Sequence, residues 1–110
     1  MAIAVETKVR SLRDDFGSGA QVAVLLGVSR SQVTRWLAGG GIDDLNAEKV
    51  DLLELVWASL TRLYEPEAAK LWLTGVNPHL GNRRPVDVIR AGRIEDRLSA
   101  IRQERAGSYA

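Results

Sequence analysis

Gly19-Ala20-Gln21-Val22-Ala23-Val24-Leu25-Leu26-Gly27-Val28-Ser29-Arg30-Ser31-Gln32-Val33-Thr34-Arg35-Trp36-Leu37-Ala38 is the stretch on which the fold turns. Two short helices cross steeply only where a small residue lies under their contact and a tight turn joins them. Ala23 and Gly27 supply both. Val22, Leu26 and Val28 are placed to fill the inside of the corner, while Val33 and Trp36, three apart on the second helix, are placed to pack back onto the first. The spacing predicts a helix-turn-helix. Left outward on the second helix are Ser29, Arg30, Ser31, Gln32, Thr34 and Arg35, hydrogen-bonding side chains suited to base edges and phosphates, with no acid among them to repel a DNA backbone. These six are the candidate DNA contacts. The plainer alternative is an α-hairpin that uses Gly27 as a helix stop and turns the same polar residues to solvent; Ala23, Gly27 and five apolar residues at the required spacings weigh against it.

Outward from this corner, Val5, Val9, Leu12 and Phe16 recur at helical spacing and predict a first helix from Val5 to Phe16 that covers it. The Gly17-Ser18-Gly19 break stops that helix, with Ser18 as cap for the next, and Gly39-Gly40-Gly41 ends the second helix of the corner. Asn46 is expected to cap the longest helix, about Ala47 to Tyr64. Its apolar positions, Val50, Leu52, Leu53, Leu55, Val56, Trp57, Leu60 and Leu63, are too many for one stripe. Burial on two sides is expected, one within the chain and the other against a second copy or under the C-terminal segment. Pro66 opens a short helix that carries Leu71 and Trp72 and stops at Thr74-Gly75, with Trp57 and Trp72 both expected in the core. An ordered loop, Val76 to Pro85, leads to a short helix from Val86 to Ala91 stopped by Gly92. A last helix uses Ile94, Leu98 and Ile101, and a polar tail follows Arg105. The expected fold class is all-α, with residues 1–64 as a DNA-binding and dimerising region and residues 65–110 as a small helical domain.

A chain of 110 residues with 45% apolar content can hold one compact core, or two small lobes sharing one. Without cysteine there is no disulfide or thiolate metal site, and the single His79 cannot build a metal centre alone, so no metal or cofactor is expected. No apolar run is long enough to span a membrane, and the start lacks the basic residues of a signal peptide, which makes the cytoplasm the expected location. Charge is unevenly spread: +2 over residues 1–40, −4 over 41–75 and +3 over 76–110, for a net +1. An acidic middle between basic ends gives different surfaces different jobs. No Ser-His-Asp arrangement, paired-carboxylate motif or phosphate cradle appears. Gly39-Gly40-Gly41 is followed by Ile42-Asp43-Asp44 where a phosphate site needs a lysine and a helix N-terminus, so no enzyme is expected.

After Tyr64 the succession Ala69, Trp72, Asn77-Pro78-His79-Leu80-Gly81, Arg84-Pro85-Val86-Asp87-Val88-Ile89, Gly92 and Leu98 resembles the toxin-binding domain of the Xre/MbcA/ParS-like antitoxins, the partners of RES-domain toxins. That family joins an Xre-type helix-turn-helix to this domain, and the resemblance runs from about Val9 to Ile101. It implies a non-catalytic antitoxin that covers the NAD pocket of a RES toxin, an enzyme that attacks NAD or uses it for ADP-ribosylation, and that represses its own operon. One departure is the short tail after Ile101, Arg102 to Ala110. The toxin-facing candidates are Asn77, His79, Arg83, Arg84, Arg97, Arg102, Arg105 and Tyr109. An arginine-rich end complements carboxylates on a toxin that binds an anionic dinucleotide, and Tyr109 is an aromatic near a chain end. The expected partners are a RES toxin, operator DNA and a second copy of the chain.

Read without the resemblance, Asn77 before Pro78 suits a turn, Arg84-Pro85-Val86-Asp87 suits a helix entry, and each arginine alone reads as a solvated side chain. The competing function is a stand-alone helix-turn-helix regulator whose C-terminal half dimerises or senses a ligand. A neighbouring gene for a RES toxin favours the antitoxin; an isolated gene favours the regulator.

Overall fold

The computed structural model describes residues 4–91, which form α1 (Val5–Phe16), α2 (Gly19–Leu26), α3 (Arg30–Leu37), α4 (Asp44–Leu63), α5 (Pro66–Thr74), a 3₁₀ turn (Pro78–Leu80) and α6 (Pro85–Ala91). No strand occurs among the described residues, only an isolated antiparallel bridge between Asn77 and Arg83. The fold is all-α. Helix boundaries follow local chemistry. Ser18 caps α2 by accepting the Gln21 N–H at 3.2 Å, and Gly17 ends α1 in the left-handed region at φ 95°. Pro66 and Pro85 sit at the first positions of α5 and α6, where no N–H is needed. At the end of α3, Gly39 (φ 92°) donates to Trp36 O and Gly40 to Arg35 O, a Schellman closure that uses carbonyls the helix leaves orphaned.

One hydrophobic cluster runs through the described chain, from Val9 and Leu12 of α1 through Val22, Leu26, Val33 and Trp36 of the corner to Leu53 and Trp57 of α4, Leu73 of α5 and Ile89 of α6. Phe16 and Trp57 stack at 4.4 Å with ring planes tilted 45°, which ties α1 to α4. Lys8 of α1 and Asp51 of α4 pair at 2.8 Å over the same contact. α4 packs against α1, α2, α5 and α6, so its surplus of apolar residues is largely taken up within the chain. Leu45, Leu55 and Leu63 stay exposed.

Two expectations are corrected. Asn46 does not cap α4. Asp43 does, accepting the Asn46 N–H at 3.3 Å, and Asn46 sits nearly buried inside the first turn with its side-chain amide donating to Asp43 at 2.6 Å. That pairing holds the Asp43 carboxyl below the ordinary aspartate value. Trp72 is not a core residue: 37% of it is exposed, because Ala69 and Leu73, four apart, take the inner face of α5 and rotate Leu71 and Trp72 outward. Trp57 lies in the core as expected.

Candidate nucleic-acid and partner interfaces

α2 and α3 are joined by the three-residue turn Gly27-Val28-Ser29, with Gly27 at φ 70° and its N–H donating to Val24 O. Ala23, Val22, Leu26, Val33 and Trp36 are all buried at the corner and Val28 packs against its edge, which is the arrangement expected from the spacing. This is helix-turn-helix geometry. Of the six candidate DNA contacts, Ser29, Arg30, Ser31, Thr34 and Arg35 are exposed and Gln32 is half-buried. Ser29 and Gln32 are occupied in a capping box: the Ser29 hydroxyl accepts the Gln32 N–H, and the Gln32 side chain accepts the Ser29 N–H. Thr34 donates its hydroxyl to Arg30 O at 3.0 Å. Arg30, Ser31 and Arg35 remain on the outer face, and the N-terminus of α3 adds its partial positive charge to theirs.

The second surface is built on the loop between α5 and α6. Asn77 caps the 3₁₀ turn, its side-chain oxygen accepting the His79 N–H at 2.9 Å, and its own N–H donates to Arg83 O at 3.0 Å. Gly81, at φ 67°, closes the turn. Arg83 donates through Nε to Leu80 O at 2.8 Å, and Arg84 forks onto Asp87 at 2.8 and 2.9 Å. The Arg84 guanidinium holds the Asp87 carboxyl below its ordinary value. Asn77, His79, Arg83 and Arg84 are therefore brought together on one ordered loop, where Asn77, Arg83 and Arg84 also hold the loop in shape. Arg97, Arg102, Arg105 and Tyr109 lie outside the described residues.

Beside this loop the structure exposes apolar residues that the sequence reading left out of the site. Leu71 is 72% exposed and Val76 65%, and with Trp72 they line an open groove that ends at Pro78 and His79. Leu63 and Tyr64, at the end of α4, are exposed as well. Neighbouring exposed apolar residues of this kind are candidates for contact with another macromolecule. The i, i+4 pairing of Ala69 with Leu73 was the signal available in sequence, since it fixes which side of α5 faces in. Among the described residues no cluster of His, Asp or Glu could hold a metal ion, and no helix is long and apolar enough to cross a membrane.

No curated protein and no solved structure matches the chain significantly. Residues 53–103 match the family model described as the antitoxin Xre/MbcA/ParS C-terminal toxin-binding domain. The matched span opens inside α4 and takes in α5, the Asn77–Arg84 loop with its apolar groove, and α6. That match, over the part of the chain that builds the second surface, supports the antitoxin family and an antitoxin role for this protein.

Proposed function

We propose that the chain is an antitoxin that binds and blocks a RES-domain toxin, an enzyme that consumes NAD or uses it for ADP-ribosylation, and that represses its own operon through α2 and α3. The observation that carries the reading is the toxin-binding family match over 53–103 in a chain whose first half folds into a helix-turn-helix with two exposed arginines on α3. The chain acts by binding and supplies no catalytic group of its own. Its functions divide at about residue 64: residues 1–64 present the operator-facing helix, residues 65–110 the toxin-facing surface, and both rest on one core. On the second surface, Leu71, Trp72 and Val76 supply apolar area, while Asn77, His79, Arg83 and Arg84 form its polar rim, with Arg97, Arg102, Arg105 and Tyr109 as further contacts.

A second copy of the chain completes the operator reading, since helix-turn-helix proteins read paired half-sites, and exposed Leu55 and Leu63, eight residues apart along one side of α4, offer it an apolar contact. The reading places the protein in the cytoplasm with its operator. The test is co-expression with the adjacent gene, whose product the proposal takes to be a RES-type toxin. Growth rescued by the full chain supports the proposal; cells that die equally fast with and without it overturn it.

A further inference from the structure

Arg90 of α6 reaches across the fold to the corner. The last turn of α2 carries no basic residue of its own, although its carbonyls form the negative end of the helix dipole. Arg90 supplies that charge from a distance of 66 residues, Nη2 donating to Val24 O at 2.6 Å. The same carbonyl accepts the Gly27 N–H at 3.3 Å, so Arg90 and the turn share one acceptor. The aliphatic stem of Arg90 also lies over Gly27, where a Cβ would stand 3.1 Å from its Cγ and Cδ. Asp87 steadies the guanidinium from below, Nη1 to Oδ1 at 3.4 Å, and is itself gripped by Arg84.

The direction in which α3 leaves α2 is set at Gly27, whose φ of 70° is a left-handed conformation held by its neighbours. Arg90 touches the turn on two sides, by a hydrogen bond before it and by packing on it. We propose that Arg90 is a positioning residue for operator reading: α6, which belongs to the span matched by the toxin-binding family, braces the turn and fixes the angle at which α3 enters the groove. This rests on the reading of α3 as the operator-facing helix.

The test compares full-length protein with its R90M, R90K and R35A variants, on a duplex carrying the promoter upstream of its own gene and on an unrelated duplex of equal length, over a range of salt. R90M should weaken promoter binding about tenfold, the scale of one charge-assisted hydrogen bond. Affinity for the unrelated duplex and the salt slope should both hold, because the loss falls on alignment and not on phosphate contact. R90K, which keeps the charge and a donor, should recover part of the discrimination. Unchanged promoter binding by R90M overturns the proposal, as does an equal loss on both duplexes by folded R90M, which would put its contribution on DNA contact in general and not on alignment. A salt slope smaller by about one also overturns it, since Arg90 would then be a phosphate contact itself. If R90M fails to fold, R90K decides: reduced discrimination supports the brace and native discrimination refutes it. R35A separates the two layers, because intact promoter binding by R35A sinks the operator reading as a whole, whereas loss by R35A with none by R90M removes only the role of Arg90.

Discussion

The Ser29 hydroxyl accepts the Gln32 N–H at 3.2 Å, sharing it with the Ser29 carbonyl at 3.1 Å, while the Gln32 side chain accepts the Ser29 N–H at 3.0 Å, so the two residues hold each other's backbone donors at the start of α3. The start of the outward-facing helix is thereby fixed by its own first turn.

Ser29→Ala should cost about 1 kcal/mol of folding stability, the usual loss for an N-cap hydroxyl. Urea unfolding measures it. A change of only a few tenths would mean that the box contributes little to holding α3.

Arg30→Ala and Arg35→Ala should leave stability nearly unchanged, because both side chains are exposed. Promoter binding should weaken, by about 1 to 3 kcal/mol for Arg35 if it forks onto a guanine. Salt-controlled shift assays read the effect, and intact binding by both variants would remove α3 from the DNA.

The corner was readable in sequence because its constraints are local: Ala23, Gly27, Val33 and Trp36 lie within fourteen residues of one another, and each spacing maps directly onto a helix face. The capping of α4 is ambiguous in sequence for an equally local reason. Asp43 and Asn46 are both good caps and stand three apart, so pattern alone could not say which of them opens the helix and which sits in its first turn. The expectation that Trp72 lies in the core fails because the small Ala69 takes the inner position instead. The contact of Arg90 with Val24 left no trace in sequence, since a hydrogen bond to a backbone carbonyl 66 residues away has no residue-type signature at the acceptor.

Leu73→Ala should destabilise the whole chain by about 2 to 5 kcal/mol, because Leu73 is fully buried in a cluster continuous from α1 to α6. Denaturation followed by tryptophan fluorescence and by circular dichroism should stay coincident in the variant. Two separate transitions would show that the halves hold independent cores.

Asp87 carries a pH signature. Its carboxyl is held below the ordinary value by Arg84, so the pair contributes stability that is complete above about pH 4, where an unfolded aspartate ionises, and is lost as pH falls through the lower folded value. The stability gap between the native chain and Asp87→Asn should thus be full at neutral pH and close in acid. A gap that persists undiminished to the most acidic conditions would assign the effect to packing.

Leu71→Glu should impair toxin neutralisation while leaving the melting temperature and promoter binding close to native, since Leu71 is mostly exposed and lies on α5, away from α3. Neutralisation is read by growth of cells expressing the toxin. Full protection by Leu71→Glu and by Trp72→Ala alike would move the contact off this groove.

The most direct measurement of the central claim is the NAD-consuming activity of the purified product of the gene adjacent to that of this chain, titrated with the full-length protein. The account predicts that activity falls to background as the protein reaches stoichiometric amounts, and that the two co-elute as one complex. A toxin that keeps its full rate in a large excess of the protein, with the two eluting apart, would contradict it.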